Sequence, residues 1–269
     1  MESKKMEEEG YQKRSEFIRK IIHHPVDEVS ENSLLSYTIP RKIIQFWDSP
    51  SDLPNDVRNC MKSWHILESA GYEYILYNFY SAKEFIKYNL GNPYSDAFAK
   101  CSHPAMQSDY FRLCYISVNG GFYVDTDDVY LGNEISDFFM DDKLKIQPLC
   151  YDISTDSMIP PNIFTNKDAH SKSWIFYFNN NPLIAPPHHI IIDKALEQST
   201  YLLNKSNIPP PDIQSVTGPG NLSKSIFLHR EEIDLFSKIK VISNWESIAE
   251  TKWELDYRSD SRNWRLMNR

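Results

Sequence analysis

The feature that most constrains this chain is one stretch, Pro104 to Leu131, reading PAMQSDYFRLCYISVNGGFYVDTDDVYL. Pro104 suits a first helical turn, and neither Gly nor Pro interrupts the run to Val118. Asn119-Gly120-Gly121 then stops the helix, because glycine takes the positive φ that a tight C-terminal cap needs. Phe122-Tyr123-Val124 is short, aromatic and β-branched, which predicts a buried strand. It runs into Asp125-Thr126-Asp127. An acidic pair at the C-terminal end of a strand lies on the sheet edge where α/β proteins bind ligands.

Two carboxylates one residue apart can reach one divalent ion once the strand loosens into a loop. Mg²⁺ or Mn²⁺ held this way keeps positions open for phosphate oxygens. That suits a diphosphate leaving group, whose growing charge a metal neutralises. About one such pair is expected by chance in a chain this long, so its meaning comes from context. Asp109 and Arg112, at i and i+3, share one helix face. Packed beside the acidic strand end, that face aims both at one crevice. Arg112 could hold a phosphate or hold Asp109 in place; Asp109 could accept from sugar hydroxyls. An ordinary surface ion pair is the alternative for the two.

Ser108-Asp109-Tyr110-Phe111-Arg112, followed by Gly120-Gly121-Phe122-Tyr123-Val124-Asp125-Thr126-Asp127, resembles the core of glycosyltransferase family 32. The pattern there is A-x-x-S-D-x-x-R, a helix, then G-G-x-Y-x-D-x-D, and Ala105 completes the match. The catalytic domain of glucosylating bacterial toxins is similar. The opening Ile39-Pro40-Arg41-Lys42-Ile43-Ile44-Gln45-Phe46-Trp47 is similar to that family's first strand. Weaker similarities are Asn179 to His189, where His188 stands in place of a common Gly, and Thr217-Gly218-Pro219-Gly220-Asn221-Leu222. The likeness spans about Ile39 to Trp264 and thins toward the end.

At 269 residues, one domain of α/β size is expected. A net charge of −8 argues against a general nucleic-acid binder. Cys60, Cys101, Cys114 and Cys150 form no CxxC pair and read as free thiols in a reducing compartment. No apolar run reaches membrane-spanning length, and the polar N-terminus does not read as a signal peptide. The expected location is cytoplasmic, with a peripheral place on the inner membrane face or secretion as an effector left open. Residues 1–38 read as an N-terminal helical extension, and residues 39–269 as the main domain. In the extension Phe17, Ile18, Ile21 and Ile22 fall at helical spacing. That face either packs on the domain or makes a weak membrane-surface or partner contact.

Further expectations follow along the chain. Pro54 to Ile66 reads as a helix, Glu73 to Tyr77 as a strand and Ser81 to Leu90 as a capped helix stopped at Gly91. Leu144 to Tyr151 reads as a strand, Asp152 to Lys172 as a loop or acceptor lid, Ile175 to Phe178 as a strand, and Ile190 to Leu203 as a helix. Alternating strands and helices predict a parallel sheet.

The resemblance implies a GT-A fold: a Rossmann-like, mostly parallel sheet flanked by helices. It implies a retaining sugar transfer from a nucleotide diphosphate donor, UDP favoured, to a glycan or protein hydroxyl. Asp125 and Asp127 would hold Mn²⁺ or Mg²⁺, and Arg112 would stabilise the departing diphosphate. Asp109 would grip the donor sugar, Tyr123 would pack at the donor site, and Trp47 would stack on the base. The C-terminal motif departs from the family: Trp264 is its anchor, Ser261 lies one residue too far from it, and the usual His is missing. Asp260 is the expected third metal ligand, with Ser261 or Asn263 as alternatives. A capsule or surface polysaccharide is the expected acceptor; a toxin-like effector acting on a host protein is the variant. Two other readings remain. Asp125-x-Asp127-x-Val129 also fits the D-x-D-x-V motif of haloacid-dehalogenase phosphatases, whose first Asp attacks phosphorus. The irregular C-terminus also suits a catalytically silent module that binds a nucleotide sugar.

Overall fold

The computed structural model describes residues 2–24, 38–205 and 212–266. The chain begins with α1 (Glu2–Ile22), β1 (Lys42–Phe46), α2 (Asn55–Trp64), β2 (Glu73–Tyr77), α3 (Phe79–Leu90) and α4 (Asn92–Ala99). Next come α5 (Pro104–Asn119), β3 (Gly121–Tyr123), β4 (Asp128–Tyr130), β5 (Leu144–Asp152), β6 (Ser157–Met158) and α6 (Pro161–Phe164). Then follow β7 (Trp174–Ala185), α7 (Ile190–Asn204), α8 (Ile213–Val216) and α9 (Pro219–Leu228). The last are α10 (Leu235–Lys238), β8 (Ile239–Val241), α11 (Trp245–Ile248) and β9 (Ala249–Thr251).

The main sheet runs β2-β1-β3-β7-β5-β6, with β8 also on β5. β1 is parallel to β2 and β3; β7 runs antiparallel to β3 and β5; β8 is parallel to β5. The expected α/β architecture is present. Strand alternation sends neighbouring side chains to opposite faces, and two cores result. Ile44 and Tyr123 enter a core with α3, α5, α7 and α9, while Ile43 and Phe122 enter one with Trp64, Phe139 and Trp245. The sheet is therefore covered on both sides, and the open end of β1 and β3 is left for a site.

The turn from α5 into β3 requires glycine. Gly120 has φ +64°, and a Cβ there would sit 2.7 Å from the backbone nitrogen of Pro187 and 2.9 Å from the Ala185 carbonyl oxygen. No larger residue lets the turn lie against the end of β7. At His188, where the resemblance has Gly, φ is +54°.

Several elements differ from expectation. The α3 helix starts at Phe79, because the Asn78 side chain accepts from Tyr80 N and Ser81 N while Ser81 Oγ accepts from Asn78 N. Beyond Gly91 (φ +89°) the chain enters a further helix, α4, with a proline in its first turn. The strand read at Ile175 to Phe178 continues to Ala185. Pro182 hid this continuation, and the β5–β7 ladder shifts register between Ile146 and Pro148 to absorb irregular residues. The stretch read as a loop or lid carries β6 and α6.

The apolar face of α1 packs inward: Ile18 and Ile21 are buried in the first core. Ser15 Oγ accepts from Phe176 N at 2.9 Å, tying the helix to β7. The rest of the expected extension, residues 25–37, lies outside the described residues.

Buried His189 opens α7, and Nε2 lies 3.2 Å from the Lys238 carbonyl, so Nε2–H donates. Burial lowers its pKa from 6.5 to about 4. The folded state keeps His189 neutral where the unfolded chain takes up a proton. Its contribution is complete above about pH 6.5 and is lost as the pH falls toward 4, on the order of 1–3 kcal/mol in all. Urea unfolding of the wild type and His189→Gln between pH 7 and 4.5 should show a flatter acid slope for the variant; parallel slopes would contradict this assignment.

Candidate active site

The open end of β1 and β3 borders a cavity of about 720 Å³. Four segments meet there: Trp47 after β1, the first turns of α5, Asp125 to Asp127 after β3, and Asn179 to Asn181 of β7. The C-terminal segment closes one side with Trp253, Tyr257, Arg258, Arg262, Asn263, Trp264 and Arg265.

Arg112 is the hub. Its side chain is 3% exposed, and it pairs with Asp125 Oδ1 at 2.8 Å and Asp109 Oδ1 at 3.1 Å. Nη1 donates to the Asn180 carbonyl at 2.8 Å and Nη2 to Ser108 Oγ at 2.8 Å. The guanidinium lies 4.4 Å from the Tyr123 ring centre, and the Tyr123 hydroxyl bonds Ser108 Oγ at 2.7 Å. Of the two roles the spacing left open for Arg112, the observed contacts are those of a residue holding Asp109, and Asp125 with it. Tyr123 supports that arrangement from beneath and does not itself line the cavity.

Asparagines of β7 lock the acids. Asn180 Nδ2 donates to Asp109 Oδ1 at 2.8 Å. Asn181 Oδ1 accepts from Asp125 N at 2.9 Å, while its Nδ2 donates to Asp128 Oδ2 at 2.7 Å. Asp128 points away from the cavity and also accepts from Thr251 Oγ1, at the β4–β9 ladder. One side chain thus ties the main chain of Asp125 to the carboxylate of Asp128. Burial raises the pKa of Asp109, Asp125 and Asp128, the last two further through neighbouring carboxylates, while Arg112 opposes the rise at Asp109 and Asp125.

Asp127 faces the C-terminal segment. Its Oδ2 accepts from the Tyr257 hydroxyl at 2.6 Å and pairs with Arg258 Nη2. Tyr257 also packs edge-on to Trp47, with ring centres 5.5 Å apart. Trp47 is buried, and its Nε1 has no partner among the described residues. Half-buried Trp264 lines the cavity under Arg265.

The remaining candidates are placed differently. Asp260 is paired with Arg262, which reaches on to Asp52, and neither Asp260 nor Ser261 lines the cavity. The Ser261 carbonyl accepts from His103 Nε2 at 3.1 Å; His103 Nδ1 accepts from Ala105 N, which fixes the tautomer. This ties the C-terminal segment to the N-cap of α5. Asn263 reaches the cavity edge, with its Nδ2 donating to the Arg258 carbonyl. Among the described residues no three His, Cys, Asp or Glu side chains cluster as a metal site. Asp125 Oδ2 and Asp127 Oδ1 nevertheless take no hydrogen bond from the described residues. Two free carboxylate oxygens on the cavity wall are a donor set that a hard divalent cation fits.

Asn180, Asn181 and Tyr257 are site side chains that the sequence did not single out, while Arg258 stood there only as one of three arginines, with Arg262 and Arg265, able to meet phosphate or to form a solvated basic tail. The only available signals were a polar run ahead of Pro182 and a cluster of C-terminal arginines.

Residues 54–147 match the family described as "Glycosyltransferase sugar-binding region containing DXD motif". That part of the chain is similar to the sugar-binding region of DXD glycosyltransferases. The match includes Asp109, Arg112, Asp125 and Asp127 but neither Trp47 nor the C-terminal segment. It supports sugar transfer by a DXD enzyme and does not single out family 32. No curated protein matches the sequence. A solved structure titled "PaToxG Glycosyltransferase" is similar at 12% identity, covering 85% of this chain and 82% of that one with a TM-score of 0.47. That likeness is too distant to say more about this chain.

Breaking a buried pair leaves an uncompensated charge, at a cost of about 3–5 kcal/mol. Arg112→Met should lose that much stability at pH 7. The loss should shrink near pH 5, because carboxyl groups whose folded pKa is raised take up protons as the pH falls. Denaturant unfolding at both pH values checks this; a loss independent of pH would contradict it.

Proposed function

We propose that this protein is a metal-dependent, retaining glycosyltransferase that moves a sugar from a UDP-sugar to a hydroxyl acceptor. The observation that carries the reading is the meeting of free oxygens on Asp125 and Asp127 with Asp109 and Trp47 around one cavity. Asp125 and Asp127 would hold Mn²⁺ or Mg²⁺ through their free oxygens. The metal's contribution, when bound, is to neutralise charge on the diphosphate as the glycosyl bond breaks.

The other roles belong to the chain itself. Arg112 aims Asp109 and Asp125 and opposes the rise in their pKa that burial imposes, which makes it a positioning residue. Asp109 accepts from donor-sugar hydroxyls. Trp47 offers a ring to the base, a contact worth about 1–3 kcal/mol in comparable stacks. Trp264 closes the donor side. The acceptor enters along the wall of Leu149, Met158, Ile159 and Tyr177. The family resemblance favours a surface-polysaccharide glycan as that acceptor.

The reaction as proposed needs no enzyme nucleophile. Attack occurs on the face the diphosphate leaves, and a leaving phosphate oxygen takes the acceptor proton.

Asp127→Ala should lower metal-dependent hydrolysis and transfer of a UDP-sugar by ~10²–10³-fold, the size of losing one transition-state electrostatic contact. Its melting curve should remain cooperative. The assay is UDP release across a panel of UDP-sugars with Mn²⁺. Undiminished turnover by the variant under chelation would remove the mechanism.

A further inference from the structure

Arg112 lines the cavity but is 3% exposed, and its terminal nitrogens are engaged by Asp109, Asp125, Asn180 and Ser108. The cavity has a second arginine with a different character. Arg258 joins Asp127 through Nη2 and is 16% exposed at its side chain. Its Nε is buried with no partner among the described residues. Nε and Nη2 form one edge of the guanidinium, the edge that binds two oxygens of an oxyanion side-on. Half of that edge is used and half is unsatisfied. A buried donor in this state costs free energy that a ligand oxygen would recover.

Two aromatic rings hold the guanidinium at the cavity wall. It lies 4.4 Å from the Trp253 ring centre and 5.5 Å from that of Tyr257. Cation–π contacts of this kind depend on the charge lying over the ring and not on one hydrogen-bond partner. The backbone beneath is anchored independently: Lys252 N donates to the Asp127 carbonyl, Asp256 N to Asp56 Oδ2, and Asn263 Nδ2 to the Arg258 carbonyl. The side chain can therefore change partners while its main chain stays.

We propose that Arg258 is the diphosphate-binding cation of this site, and that its pairing with Asp127 is the ligand-free half of a two-position exchange. Without a donor, Arg258 neutralises Asp127 and competes with the divalent cation for it. With a donor, the Nε–Nη2 edge moves to the diphosphate oxygens and leaves the Asp127 carboxylate to the metal. Nucleotide diphosphate and metal thereby bind cooperatively, since each favours the same position of Arg258. The inference deepens the proposed function and rests on its assignment of Asp125 and Asp127 as the metal-holding pair.

The test uses the full chain with Mn²⁺ and UDP as separate probes. Calorimetry gives the affinity for each alone and in the presence of the other, in the wild type, Arg258→Gln and Arg258→Lys. Arg258→Gln should bind Mn²⁺ alone more tightly, by about five- to a hundred-fold, and UDP more weakly by a similar factor. The mutual enhancement between UDP and Mn²⁺ seen in the wild type should vanish in Arg258→Gln and be partly kept in Arg258→Lys. Opposite shifts in the two affinities are something a purely structural role cannot produce. Loss of both affinities together, or retention of the enhancement in Arg258→Gln, would overturn the exchange. Asp127→Ala separates the two levels: if it leaves Mn²⁺ binding intact, the metal-holding reading itself fails. If it abolishes Mn²⁺ binding while Arg258→Gln behaves as wild type, only the role of Arg258 fails.

Discussion

The site depends on one buried cation. Arg112 lies between Asp109, one helical turn before it, and Asp125, beyond the following strand. Taking a guanidinium and two carboxylates out of water costs several kcal/mol each, and mutual attraction repays this only with good geometry and further hydrogen bonds. Ser108 and Asn180 supply them, the Tyr123 ring lies against the guanidinium, and Asn181 holds the Asp125 main chain. The result couples α5, β3 and β7 through a single charge balance. It fixes Asp125 in place before any ligand arrives, which is what preorganised electrostatics require.

Much of this was legible from one stretch of sequence. The i, i+3 spacing placed Asp109 and Arg112 on one face, and the two glycines ended α5 where β3 had to begin. The acidic pair then fell at the sheet edge because Phe122 and Tyr123 could only be a strand. Those signals are local, and local periodicity is what a chain reveals most directly. Asn180 and Asn181 were not legible in their role. They act across 71 and 53 residues of chain through side-chain bonds to Asp109 and Asp128, and no periodic pattern encodes such bonds. Pro182 hid them further by suggesting that β7 had ended.

The C-terminal segment was hardest to read for a related reason. From Lys252 onward it has only short turns, so each side chain is placed by its own partner. Asp260 turns to Arg262 and Arg258 turns to Asp127, although either acid or either base could have been assigned to the cavity by spacing alone. The overall charge misleads in the same way. A chain of net charge −8 concentrates Arg258, Arg262 and Arg265 around this cavity, and local field matters more than total charge for an anionic ligand.

The central claim is that two acids at the margin of the sheet share one divalent cation, with Arg112 holding the first of them in place. Anomalous diffraction from crystals grown with Mn²⁺ and UDP tests it most directly. A single strong peak within bonding distance of both Asp125 Oδ2 and Asp127 Oδ1, with the Arg112–Asp125 pair intact, is the predicted result. A peak bound to neither carboxylate, in crystals whose cavity holds UDP, would contradict the account.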